Sequence, residues 1–167
     1  MRAILGLIVA FVSATAGAAT RPPAVAGAFY TDNPMQLRAE VEQMLEAAPS
    51  SGGVRAVVVP HAGYVYSGAV AGEAFAALDA TGLRRVILLG PSHHRAFRGG
   101  ALPARGIDSF TTPLGEVKVD GAAVESLRKI ADFDGPSAAH DPEHCLEVEL
   151  PFFQVLAPDA VIVPILV

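Results

Sequence analysis

Hydrophobic positions along the chain recur with two different periods, and the alternation between them predicts the fold class. Leu37, Val41, Met44 and Leu45 repeat at helical spacing, with Arg38, Glu40, Glu42 and Gln43 on the opposite face. Asn33 followed by Pro34 is a helix start, a capping side chain ahead of a proline at the first helical position. Before it, Pro22-Pro23 opens an extended segment that runs to Phe29-Tyr30, and after it residues 49–53 (PSSGG) form a loop. Residues 56–60 (AVVVP) are a continuous β-branched run, which predicts a buried parallel strand. A helix rich in Ala and Gly follows over about 67–78, then a second buried strand at 85–90 (RVILLG). An amphipathic helix is expected around 122–130, another beginning near Asp141-Pro142, and a third buried strand at 160–167. Buried strands that alternate with helices predict an α/β fold, a single α/β/α domain with a central, largely parallel sheet.

Composition narrows the function classes. A chain of 167 residues with 51% hydrophobic and 17% charged side chains makes one folded domain with a sizeable core and excludes disorder. Twelve Lys and Arg against 17 Asp and Glu give a formal charge of −5 with no basic run, which argues against nucleic acid and anionic membrane surfaces as partners. One cysteine excludes a disulfide framework and a multi-thiolate zinc site.

The two ends of the sequence carry expectations of their own. Met1-Arg2, the apolar run at 3–12 and the small residues at 13–19, with an A-x-A site at Ala16-Gly17-Ala18, read as a signal peptide over residues 1–19. The run is too short for a stable membrane span, which takes roughly 20 apolar residues. The expectation is an exported protein, periplasmic or secreted, with membrane anchoring by an uncleaved N-terminus as the alternative. The folded domain would then occupy 20–167. The 161–167 run (VIVPILV) reads as a central strand with nothing after it to cover its second face, so the sequence is expected to be the N-terminal part of a longer domain.

Candidate chemistry is concentrated in the histidines. All five fall in three clusters: His61, His93-His94, and His140 with His144. The first two clusters begin where a predicted buried strand ends, and in open α/β sheets the ligand crevice lies beyond the carboxyl ends of the strands. Neutral imidazole is the commonest metal ligand, and two of them with a carboxylate or thiolate suit Fe(II), Zn or Cu. The third cluster, Asp141-Pro142-Glu143-His144-Cys145, is expected in the first turn of a helix, where Glu143 and His144 could act as a proton-transfer pair or support the metal from behind. Dipole complementation and capping are the plainer alternatives for that cluster. Cys145 reads as a small buried residue rather than a ligand.

Five strings occur in order: RPPAVAGAFY at 21–30, PHAGYVYSG at 60–68, LGPSHH at 89–94, TPLGEVKVD at 112–120 and EHCLEVELPF at 143–152. Together they resemble the MEMO family, also called AmmeMemoRadiSam system protein B, which is similar in fold to the LigB-type extradiol dioxygenases. The resemblance covers 21–167 and implies a LigB-like α/β domain. It implies metal-site histidines at His61 and His93, and the family's EHS-type motif on Glu143-His144, with Cys145 in place of the usual Ser. The family's later Asp, His and Cys site residues lie beyond the strand that matches 160–167. The family resemblance implies an iron- or copper-binding protein, Fe(II) first and Zn also open, with a dioxygenase-like cleft for a small molecule or peptide. The cleft could serve a non-catalytic binding module. The alternative is a non-haem Fe(II) oxidoreductase acting on a small substrate, aromatic ones included, with His144 and Glu143 as the catalytic pair. Oligomeric state is not read from this sequence.

Overall fold

Asn33 starts the first helix through its side chain: Oδ1 accepts the backbone N–H groups of Met35 at 3.0 Å and Gln36 at 3.1 Å. Helix α1 (Pro34–Glu46) then buries Leu37 and Val41 along one stripe. The computed structural model describes residues 19–46 and 53–167. The expected signal peptide, apart from Ala19, and most of the 49–53 loop lie outside the described residues.

Helix α2 (Tyr64–Ala76) packs on α1 through a glycine face. A Cβ at Gly72 would stand 2.6 Å from the Met44 carbonyl oxygen, so only glycine allows the two backbones this close. The helix begins at Tyr64, three residues before the pattern predicted, and ends at Ala76. The early start follows from burial, because Tyr64 packs in the core and its hydroxyl donates to the Val148 carbonyl at 2.7 Å. Phe75 of α2 stacks on Phe152 of helix α4 (Leu150–Leu156), with ring centroids 4.8 Å apart, and this aromatic contact lies within the main core.

The parallel pairing expected of an α/β domain is present, divided over two small sheets. Strands β2 (Arg85–Gly90) and β5 (Val161–Leu166) run parallel from Arg85↔Val161 to Gly90↔Leu166. In the second sheet β1 (Ala19–Arg21) pairs parallel with β3 (Ile107–Thr112), and β3 pairs antiparallel with β4 (Gly115–Lys118). An isolated bridge at Val119↔Ile162, just past β4, ties the sheets together, and Ala101 adds a further bridge to Leu166 of β5. Helix α3 (Gly121–Leu127) is capped by Asp120, whose carboxylate accepts the Ala123 N–H at 2.9 Å, and is shorter than the predicted 122–130.

β5 separates two apolar clusters. Ile162 and Leu166 belong to the main core, whereas Val163 and Ile165 pack with Leu102 and with Val124 of α3. Ile87 and Leu89, the β2 partners of Val163 and Ile165, share the α3 face yet remain exposed, because α3 covers the β5 side of that face.

The expected buried strand at 56–60 is not formed. Val54 makes one parallel bridge to Leu78, residues 55–60 pair with no strand, and Val58 is fully exposed. Val57 and Val59 lean on the margin of the core without backbone partners in a ladder. β-branched composition does not by itself make a strand: among the described residues β2 pairs with β5 alone, and the 55–60 run does not add to its other edge. Among the described residues, no helix is long and apolar enough to cross a membrane.

Candidate metal centre

Strand β2 delivers His93 to the site by a tight exit. A Cβ at Gly90 would stand 2.5 Å from the Cys145 sulfur and 2.8 Å from Leu146 Cδ2, so the strand end presses directly on the segment that carries Glu143 and His144. The Gly90 carbonyl accepts from Val167, the Val167 carbonyl accepts from Ser92, and the chain then turns into His93.

The 141–146 segment is not the first turn of a helix, as its Asp-Pro start predicted. It is an irregular loop between two short 3-10 turns, Ser137–Ala139 and Glu147–Glu149, and α4 begins only at Leu150. The cause is where its polar groups go. The Glu143 carboxylate accepts the backbone N–H groups of His144 at 2.8 Å and Cys145 at 3.1 Å, and it reaches across to the His93 N–H at 2.7 Å. On the other side, the Arg21 guanidinium donates to the carbonyls of His140, Asp141 and Glu143. Donors and acceptors that would have built a helical turn are committed to side chains instead.

Glu143 also meets the His93 ring, with Nδ1 2.9 Å from Oε1. Desolvation raises the acid's pKa, but the hydrogen bonds from His93, Cys145 and His144 outweigh it and hold the pKa at about 2. The group is therefore a carboxylate at neutral pH and can only accept. The His93 proton then sits on Nδ1, and the neutral ring presents the lone pair of Nε2.

Three imidazoles converge from three segments. The His61 and His93 ring centroids are 5.2 Å apart, His93 and His144 are 4.4 Å apart, and His61 and His144 are 6.0 Å apart. His144 stands closer to His93 than His61 does, rather than farther back as an outer residue of the site. Burial is the main influence lowering the His61 and His144 pKa values; their imidazole neighbours push the same way against the attraction of Glu143. Both rings are thus biased towards the neutral form that a metal requires. His93, Glu143 and His144 each offer a ligand atom within 4.8 Å of the others, so this group can hold a metal ion.

The remaining sequence candidates separate from the site. His94 is exposed, 6.4 Å from the His144 ring, and does not line the cavity. His140 is buried beside Phe110, its Nε2 3.0 Å from the Ala101 carbonyl, where it serves the core. Cys145 is buried, and desolvation followed by the Glu143 charge pushes its thiol pKa far up, so it is no thiolate ligand.

The three rings open onto a cavity of about 620 Å³ whose other wall includes Phe29, Val65 and Tyr66. The Phe29 ring centroid lies 4.8 Å from that of His144, and the Phe29 carbonyl accepts the Tyr64 N–H at 2.7 Å. Sequence reasoning passed over these residues. Phe29 lies in a segment legible only as extended, and Val65 and Tyr66 are exposed residues of α2.

Comparison with known proteins finds one family over nearly the whole described chain. A family described as Memo-like protein matches residues 21–167. A MEMO1 family protein of Archaeoglobus fulgidus is 43% identical over 146 residues, covering 87% of this chain and 53% of the relative. A MEMO1 family protein of Methanothermobacter thermautotrophicus is 36% identical over 156 residues, 87% of this chain and 56% of its own. Protein MEMO1 of Xenopus tropicalis is 37% identical over 148 residues, 85% of this chain and 49% of its own. The chain spans about half the length of these curated relatives. With a single family matched from Arg21 to Val167, the chain belongs to the Memo-like protein family.

Proposed function

We propose that this chain carries a transition-metal centre in which His61, His93 and His144 supply the imidazoles and Glu143 orients His93 from behind. The observation that carries the reading is the convergence of three rings, from three separate segments, on one cavity. The donor set fits the group: neutral imidazoles suit Fe(II), Cu and Zn, and a carboxylate on the far nitrogen of one ring is the common support for such a ligand. A bound ion would supply Lewis-acid polarisation and, as iron or copper, one-electron chemistry. The chain's own part is to bias the His61 and His144 rings towards the neutral form, fix the His93 tautomer and shape the cavity for a small molecule or peptide. The export signal read in residues 1–19 supports a periplasmic or secreted setting.

A second reading leaves His144 off the metal. Its bias towards the neutral form supports it as a proton acceptor beside Glu143, with His61 and His93 alone on the ion, as in an oxidoreductase of dioxygenase type.

Metal content after anaerobic loading with Fe(II), measured on His61→Ala, His93→Ala and His144→Ala, tests both. Loss of iron in all three variants is the expected result. Iron retained only in His144→Ala favours the second reading, and O2 consumption with catechol-type substrates then checks turnover. Iron retained in His61→Ala overturns the three-imidazole centre in favour of His93, Glu143 and His144. Iron retained in every variant removes the metal centre altogether.

A further inference from the structure

We infer that the buried Arg21–Glu147 pair is the positioning device of the metal centre, setting the backbone path that carries Glu143 and His144 to His93; this rests on the metal reading above. Both side chains are almost wholly inaccessible. A buried ion pair is by itself weak support for stability, since apolar residues of similar volume often do as well, so its geometry is the better guide to its role.

The geometry is directed at the site. Nε of Arg21 donates to the His140 carbonyl at 3.1 Å, and a terminal nitrogen donates to the carbonyls of Asp141 and Glu143. Its other terminal nitrogen pairs with Glu147. The loop from His140 to Glu143 has a single long turn bond of its own, from the Glu143 N–H to the His140 carbonyl at 3.4 Å, and one guanidinium takes up three of its carbonyls. Only the planar fork of arginine spans three such acceptors and a carboxylate together, whereas a lysine ammonium is a single point.

Glu147 completes the clamp. Its carboxylate accepts the N–H groups of Ala24 at 2.7 Å and Val25 at 3.0 Å, and the Tyr30 hydroxyl at 2.7 Å. That fixes the 21–30 strap, whose far end places the Phe29 ring against His144 and the Phe29 carbonyl on Tyr64, three residues past His61. One buried pair thus reaches two of the three segments that bear site residues. Arg21 and Glu147 touch no ring of the site, so they act through the backbone and not as ligands.

The test uses Co(II) as a spectroscopic probe on the wild-type chain, Arg21→Lys, Glu147→Gln and, as a control in the smaller apolar cluster, Val124→Ala. Affinity, the position and intensity of the visible ligand-field bands, and the melting temperature are read for each. The expected result is at least tenfold weaker Co(II) binding and shifted bands in Arg21→Lys and Glu147→Gln. Val124→Ala, destabilised to a similar degree, keeps the wild-type spectrum and affinity. Folded Arg21→Lys and Glu147→Gln with the wild-type spectrum and affinity overturn the assignment while leaving the metal centre standing. If neither variant folds, or if Val124→Ala changes the spectrum as much, the pair is a stability element and the assignment falls. A wild-type chain that binds no Co(II) sinks the metal reading and this inference with it.

Discussion

Glu143 grips His93 twice, at the backbone N–H by Oε2 (2.7 Å) and at ring Nδ1 by Oε1 (2.9 Å). Backbone and ring of one residue are thus fixed by one carboxylate, which leaves Nε2 as the ring nitrogen it does not occupy. Glu143→Gln keeps the shape and removes the charge, and its amide must set an N–H against backbone donors. Metal affinity should fall about 10- to 100-fold, as is typical when the support behind a ligating histidine is lost. Stability should fall by about 1–3 kcal/mol for the unsatisfied donors. Isothermal titration with Zn(II) and urea denaturation measure the two effects, and an unchanged affinity would remove Glu143 from the site.

Glu149 is a contrasting acid. Its two carboxylate oxygens are buried without a hydrogen-bond partner among the described residues, and desolvation raises its pKa to about 8. With the folded pKa above the unfolded value, the native state binds the extra proton between about pH 4.5 and 8, so the group costs stability as pH rises through that window. Glu149→Gln should therefore stabilise the chain at pH 8, by on the order of 1–3 kcal/mol, and change little at pH 5. Thermal melts at the two pH values decide it; equal effects at both would mean that the carboxylate has a partner in solution.

His140 runs the opposite way. Desolvation is the main influence that lowers its pKa to about 4, the Arg21 charge pushes the same way, and the hydrogen bond to Ala101 opposes them. Between about pH 6.5 and 4 the unfolded chain takes up a proton that the native state refuses, so stability is full above pH 6.5 and is lost as pH falls. The wild-type chain should lose about 1.4 kcal/mol between pH 7.5 and 5.5 through this residue, the value of one pKa unit. His140→Gln should lose that much less over the same interval. A residual slope is expected from His61 and His144, whose values are lowered too. Urea midpoints at both pH values supply the comparison, and identical slopes would exclude His140 as a contributor.

What was legible in the sequence had its cause nearby. Asn33 caps the N–H groups of Met35 and Gln36, and the 85–90 and 160–167 runs form paired strands as their apolar patterns suggest, although only β5 is covered on both faces. The misread segments depend on distant partners. The 56–60 run has strand composition but joins no ladder, and Asp141-Pro142 would start a helix if Glu143 and Arg21 did not claim the loop's polar groups. The β3–β4 hairpin went unread although Thr112 to Gly115 forms a short connection between two alternating runs. His61, His93 and His144 were found by their motif-like surroundings, and His61 reaches the cavity even though no strand precedes it. Nothing local marks Arg21 and Glu147 as partners, because 126 positions separate them.

If residues 1–18 are an export signal, the N-terminal strand singles out one bond for processing. Ala19 donates its N–H to the Gly106 carbonyl at 3.1 Å and pairs with Ile107, and Thr20 and Arg21 follow beside Ser109 and Phe110. The Thr20 hydroxyl lies 2.9 Å from that of Ser109. Removal of the signal after Ala18 would leave this three-residue strand whole, with a new ammonium at Ala19 still able to donate to Gly106. Removal after Ala19 would delete one of its three rungs and bring the chain end next to Arg21, the residue that clamps the 140–143 loop. Ala18-Ala19 is therefore the bond expected to be cut, and intact-mass spectrometry of the exported protein should show a chain that begins at Ala19. Ala18→Arg, which violates the small-residue requirement at the cleavage site, should leave a precursor that carries residues 1–18. A soluble cytoplasmic product that retains Met1 would show that the segment is no export signal.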